Sequence, residues 1–193
     1  MANDISSLLE DATARNLLFK RRVIVLSESV HSQMAKKIIG DLLALEADDP
    51  TKDIWMFLNS PGGEVSSGFG IYDTMRFIRP KVKVVVTGLA ASIATVILLG
   101  ADKENRVSTP NSRLLIHQPL IGGNIQGQAS DIEITAKEIL KTREKLVELY
   151  HKETKQTKER LARDIERDYW MDAQEAMEYG LVSRVVSSWS DLV

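Results

Sequence analysis

The sequence contains no cysteine. That absence excludes a disulfide framework, a thiolate zinc site, an iron–sulfur cluster and a cysteine nucleophile. An excess of charge is missing too: 25 Lys and Arg stand against 27 Asp and Glu, a formal net charge of −2. Such balance gives no electrostatic basis for binding nucleic acid or an anionic membrane. The opening residues lack a basic n-region and carry Asp4 early, unlike a secretory signal. One uncharged run, the 18 residues from Val84 to Ala101, lies at the lower edge of a membrane span. Its Val84-Val85-Val86 is β-branched, Thr87-Gly88 punctuates it, and Ser92 and Thr95 are polar. A buried strand, a turn and a buried helix are expected there instead, in a cytoplasmic protein with no membrane contact. Metal spacing is absent as well, because no two of His31, His117 and His151 share a helix face. Neither nucleotide-binding glycine motif is present, nor is the G-x-S-x-G elbow.

What is present is globular composition. The 193 residues are 44% hydrophobic and 27% charged, enough for one domain over 1–193 without a staple. Arg22 to Leu26, Ile54 to Leu58, Val82 to Val86 and Arg113 to Ile116 read as short apolar strands. Helical spacing joins Val30, Met34, Ile38, Leu42 and Leu45, and a second helix follows Gly63 to about Ile78, before Pro80. Ser92 to Leu99 reads as a helix apolar on all sides. The alternation predicts parallel β-α-β units with both sheet faces covered. Further on comes a polar, glycine-rich stretch, Gly122 to Gln128. Ser130-Asp131-Ile132-Glu133 then has capping-box spacing, before a charged helix to about Lys155. At 1.5 Å per residue this helix spans about 36 Å, so it is expected to protrude toward a subunit interface. Leu181 to Val186 reads as a last strand.

Three places carry candidate chemistry. His117 ends an apolar strand, and parallel sheets place ligands at strand ends; His31 and His151 read as surface. Ser92 lies between a buried strand and a buried helix, where free N–H groups and the positive dipole end can stabilise an oxyanion. Its plainer reading is a helix N-cap. Pro61-Gly62-Gly63 can expose a backbone N–H, or be an ordinary turn. A serine–histidine pair needs a carboxylate. Asp164, Glu166 and Asp168 are all candidates, and spacing does not choose among them.

Taken in order, L-N-S-P-G-G-E-V, I-Y-D-T-M-R-F-I, G-L-A-A-S, P-N-S-R-L-L-I-H-Q-P-L, G-Q-A-S-D-I-E-I and E-R-D-Y-W-M-D-A-Q-E-A-M-E-Y-G-L-V resemble the ClpP family of Clp protease proteolytic subunits. The resemblance runs from about Arg22 to Val186. It implies an α/β ClpP/crotonase-like fold of stacked β-α-β units, with a protruding helix–strand handle over about 120–155. It implies a serine endopeptidase with Ser92 as nucleophile, His117 as base and Asp168 as acid. The oxyanion donors fall on the N–H groups of Gly63 and Ile93. The family forms two stacked seven-membered rings around a chamber, fed with polypeptide by an AAA+ unfoldase; no cofactor is implied. Trp55, Phe57, Phe77 and Val186 fall where the family docks that unfoldase. Residues 1–20 diverge from the family's gate segment. Ile93-Ala94 stands where Met-Gly is common, which would crowd the oxyanion turn, and L-I-G-G-N-I-Q-G-Q is longer than usual. These departures imply a divergent paralogue working beside a second ClpP. Two other readings are a silent structural ring subunit and a crotonase-type acyl-CoA enzyme, which shares the fold without needing Ser92.

Overall fold

The computed structural model describes residues 13–120 and 127–192. The expectations placed on 1–12 and on the 121–126 part of the handle, its strand included, lie outside these residues. After a helical stretch over 13–20 come β1 (Val23–Leu26), α1 (Ser32–Asp48), β2 (Ile54–Ser60), α2 (Val65–Phe77), β3 (Val82–Ala91) and α3 (Ile93–Leu98). Then follow β4 (Arg106–Ser108), β5 (Arg113–Ile116), α4 (Ala129–Thr154), α5 (Lys158–Asp164), β6 (Tyr169–Asp172), α6 (Ala173–Tyr179) and β7 (Arg184–Val185). The strands make one seven-stranded sheet in the order β1-β2-β3-β4-β7, with β5 branching from β3 and β6 added to β5. Every pairing is parallel except β5 with β6. The expected α/β fold is therefore present.

The uncharged run divides, as expected, into strand and helix. Among the described residues no helix is long and apolar enough to cross a membrane. The expected turn at Thr87-Gly88 is not there. Strand β3 continues to Ala91, and Gly88 absorbs an irregularity at φ 93°. Asn59 Oδ1 accepts the Leu89 N–H at 3.1 Å, bridging the register shift between β2 and β3. Before Gly88, Val84–Val86 pairs with β4; beyond it, Leu89–Ala91 pairs with β5. One strand thus serves two neighbours, and its second half carries Ser92 toward β5.

Other boundaries shift for local reasons. Arg22 lies outside β1, at φ 57°. Its guanidinium instead donates to the Leu45, Asp49 and Lys52 carbonyls at 2.9, 2.9 and 3.0 Å, capping the end of α1. The capping box at Ser130 is not formed. Helix α4 starts earlier, with the Gln128 carbonyl accepting from Asp131 and Ile132, so Ser130 sits inside the first turn. The last strand is only Arg184–Val185. Gly180, at φ 95°, ends α6, and the Leu181 N–H closes back on the Ala176 carbonyl, so Leu181 and Val182 belong to the helix stop. Strand β4 has only three residues, and β6, Tyr-Trp-Met-Asp with Met171 alone buried, carries no apolar run to mark it in the sequence.

Helix α4 is about 39 Å long at 1.5 Å per residue. Its buried residues are Leu146, Tyr150 and Thr154, all near its C-terminal end. Over 129–145 the helix buries no residue among those described. His151 is not a free surface residue: it is half-buried, and its Nδ1 lies 2.7 Å from the Gln156 carbonyl. His31 is on the surface, and its Nδ1 accepts the Met34 N–H as the N-cap of α1.

Candidate active site

Two parallel neighbours bring the serine and the histidine together. Ala91 on β3 is level with Leu115 on β5, and the Ser92 N–H extends the ladder to the Leu115 carbonyl at 2.9 Å. The next residue along β5 is Ile116, and then His117. Strands so paired lie about 4.8 Å apart, so both side chains emerge at the same end of the sheet.

Ser92 occupies the N-cap position of α3, but its side chain makes no capping hydrogen bond. The plainer reading of Ser92 is thereby corrected. The backbone stands at φ 57° and ψ −127°, a conformation that side chains other than glycine seldom adopt and that costs of order 1–3 kcal/mol. It is a strand–helix elbow without the glycine-flanked motif that usually signals one. Packing holds it there, since all six residues of α3 are buried. The Ser92 hydroxyl has no hydrogen-bond partner among the described residues.

The carboxylate comes from the antiparallel pair. Ile116 is level with Tyr169, so the following position on β5 faces the preceding one on β6, and His117 meets Asp168. His117 Nδ1 lies 3.9 Å from Asp168 Oδ1; the imidazole is 12% exposed and the carboxylate 64%. The other two candidates are engaged elsewhere. Asp164 accepts the Tyr179 hydroxyl at 2.9 Å and pairs with Arg160, while Glu166 pairs with Arg143. Gln118 fixes the loop between them, donating its N–H to the Ile165 carbonyl at 2.6 Å and its amide to the Glu166 carbonyl at 3.0 Å. The His117–Asp168 distance exceeds a hydrogen bond, and no hydrogen bond joins Ser92 to His117 among the described residues. This is the looser arrangement common without substrate; proton transfer needs about 2.6–3.2 Å.

Opposite Ser92 runs the Pro61-Gly62-Gly63 turn. Val30 pairs with it: its N–H donates to the Gly62 carbonyl, and its carbonyl accepts from Glu64, both at 2.8 Å. Gly62 and Gly63 stand at φ 87° and 148°. A Cβ on Gly62 would lie 2.7 Å from Ser92 Cβ, and one on Gly63 only 2.2 Å from the Val30 carbonyl oxygen. The turn is therefore glycine by necessity. The Gly63 and Ile93 N–H groups donate to no protein acceptor among the described residues. Ile93 does not crowd this turn. Its side chain packs onto Gly68 of α2, where a Cβ would come within 2.1 Å of Ile93 Cγ1. The missing side chain makes the room that the β-branched residue needs.

Ser92, His117, Gly63 and Ile93 open on one cleft of about 270 Å³, lined on its apolar side by Val65, Val96, Leu146 and Tyr150, while Asp168 lines an adjoining depression that shares His117 with it. Chemically, the arrangement offers a free hydroxyl, an imidazole, a carboxylate and two unclaimed N–H donors, the parts list of acyl transfer. On β2, facing the side of the sheet opposite Ile54, Met56 and Leu58, Trp55 and Phe57 lie half-buried, with the Trp189 ring centroid 5.9 and 6.0 Å from theirs. Val186 is buried beneath them with Val85, Val107 and Leu192. Phe77, 84% exposed at the end of α2, does not line the depression that Trp55 and Phe57 form with Trp189. Trp189 went unremarked in the sequence, where only its aromatic character could have marked it.

The model of the Clp protease family matches residues 9–188. A curated relative, the ATP-dependent Clp protease proteolytic subunit of Deinococcus radiodurans, is 46% identical over 169 residues, covering 88% of this chain and 82% of that protein.

Proposed function

This chain belongs to the Clp protease family, and from that membership we propose that it is a serine endopeptidase, the proteolytic subunit of an ATP-dependent Clp protease, with Ser92, His117 and Asp168 as its triad. In this reading His117 takes the Ser92 hydroxyl proton as the oxygen attacks a substrate carbonyl. The Gly63 and Ile93 N–H groups receive the oxyanion. His117 then returns the proton to the departing amine, leaving an acyl-serine that water hydrolyses. Asp168 holds the imidazole and stabilises its charged form. The observation that carries the reading is the free Ser92 hydroxyl, which makes no capping hydrogen bond and shares a cleft with His117 and two unclaimed N–H groups.

The same reading makes the long α4 part of a handle between stacked heptameric rings. Trp55, Phe57 and Phe77 become apolar contacts for an AAA+ unfoldase that delivers polypeptide, with Val186, buried beneath the first two, supporting them from below, and we extend that group to Trp189. A divergent paralogue sharing its ring with a second ClpP also fits; full ring formation and full activity by the purified chain alone would refute it. A silent ring subunit has less support, because the complete residue set is present and Ile93 is accommodated. An acyl-CoA enzyme has none from the family match.

Active-site labelling tests the core of this. A small fluorophosphonate should add once per chain, read by intact mass, and Ser92→Ala should take up none. Labelling that persists in Ser92→Ala, or no labelling of the chain even with a second ClpP subunit present, would overturn the assignment.

A further inference from the structure

The long helix of the domain also touches its catalytic turn. Tyr150, near the C-terminal end of α4, is 1% exposed, and its hydroxyl lies 2.5 Å from Thr95 Oγ1. Thr95 Oγ1 donates to the Ser92 carbonyl at 2.6 Å. The same carbonyl accepts the Thr95 N–H at 3.0 Å. A threonine hydroxyl has one proton. With that proton on the Ser92 carbonyl, the donor in the other contact is Tyr150. The hydrogen bonds therefore run in one direction, from Tyr150 through Thr95 to Ser92.

The Ser92 carbonyl and the Ile93 N–H belong to one planar trans peptide. Holding the carbonyl fixes where the N–H points, on the opposite side of the plane. Hydrogen bonds in series also polarise one another, by roughly 10–30% per bond. We propose that Thr95 and Tyr150 are positioning residues of the oxyanion hole, clamping the Ser92–Ile93 peptide so that the Ile93 N–H faces the developing oxyanion. This rests on the reading of Ser92 as nucleophile and Ile93 as oxyanion donor.

A threonine bonding back to the carbonyl three residues earlier is common in helices by itself. Two features take this one further. The peptide it holds follows a residue at φ 57°, which needs restraint from outside the turn. The restraint also comes from a separate helix 55 residues away, by a buried contact. Burial pushes the Tyr150 phenol up to about 12, against a smaller opposing effect of the Thr95 hydrogen bond, so it remains a donor wherever the enzyme works. One turn beyond, Glu153 pairs with the buried Arg106, fixing the same end of α4 to the sheet. The handle helix and the oxyanion peptide are thus one mechanical unit.

The test compares Thr95→Val, Thr95→Ser, Tyr150→Phe and the double variant Thr95→Val/Tyr150→Phe with the unaltered chain. Each is measured at a temperature where melting curves show it folded. The readouts are the rate of fluorophosphonate labelling and the kcat and KM of a capped fluorogenic peptide. A displaced donor should lower the labelling rate and kcat about tenfold in Thr95→Val, with KM unchanged. Thr95→Ser, which keeps the hydroxyl, should stay within about twofold, since a retained donor keeps the peptide clamped. Because the contacts act in series, the double variant should be no slower than Thr95→Val. Wild-type rates in both Thr95→Val and Tyr150→Phe would overturn the proposal while leaving the triad intact. So would a fall in melting temperature with no change in rate. An unaltered chain that takes no label at Ser92 would instead overturn the triad, and the clamp with it.

Discussion

Asp168 meets His117 because Tyr169 is level with Ile116: the antiparallel step from β5 to β6 sets the carboxylate 3.9 Å from the imidazole Nδ1. Neither Asp164 nor Glu166 shares that register. The assignment of the acid is thus a statement about strand pairing, and it can be tested by exchanging carboxylates one at a time.

Asp168→Asn should lower kcat by at least about 10²-fold, because the amide no longer stabilises the imidazolium. Glu166→Gln should cost less than about threefold, since among the described residues the Glu166 side chain makes a surface pair with Arg143 and reaches neither Ser92 nor His117. Peptide hydrolysis by both variants checks this; equal losses would remove Asp168 from the triad.

Gly63→Ala should both destabilise and inactivate. The new methyl would lie 2.2 Å from the Val30 carbonyl oxygen at a backbone angle of φ 148°. Something must move, and the N–H at that position moves with it. A loss of about 1–3 kcal/mol in urea unfolding is expected, with a larger fractional loss of kcat than of substrate affinity. An active, equally stable Gly63→Ala protein would count against the proposed oxyanion donor.

Arg106 is 1% exposed and paired with Glu153, with its Nε donating to the Ala101 carbonyl at 2.8 Å. Glu153→Ala leaves a buried guanidinium without its counter-charge, and should lower stability by about 3–5 kcal/mol. The double replacement Arg106→Met/Glu153→Leu should regain much of that, because no buried charge is left unpaired. Chemical denaturation of the two variants checks the order.

Stability should fall above pH 10. The Tyr150 phenol is raised by burial from 10.0 to about 12. Between those values the unfolded chain releases this proton and the folded chain keeps it. Unfolding is then favoured as pH rises, by up to about 1.4 kcal/mol per pH unit. The contribution is complete below pH 10 and lost as pH climbs through about 12. Tyr150→Phe should flatten the urea midpoint over pH 9.5–11.5 relative to the unaltered chain; an unchanged slope would contradict the shift.

The amino-acid order by itself determined the parallel α/β alternation, the buried α3, the long charged α4 and the three places where chemistry could sit. Local burial patterns and turn residues write those features directly into the chain. Strand β3 shows where that reading stops. Thr87-Gly88 looks like a turn, yet the strand runs on, because Asn59 from β2 satisfies the backbone across the irregularity. Ser92 looks like a cap, yet the packing of α3 and β5 drives it to φ 57°, and its hydroxyl makes no capping bond. Outside the family resemblance, Asp168 is one of three equivalent acids until β6 pairs with β5. Tyr150 and Thr95 are unremarkable until α4 folds back. Each of these depends on which segments become neighbours and in what register. Long-range packing sets that, and neither the two-residue nor the 3.6-residue period carries it.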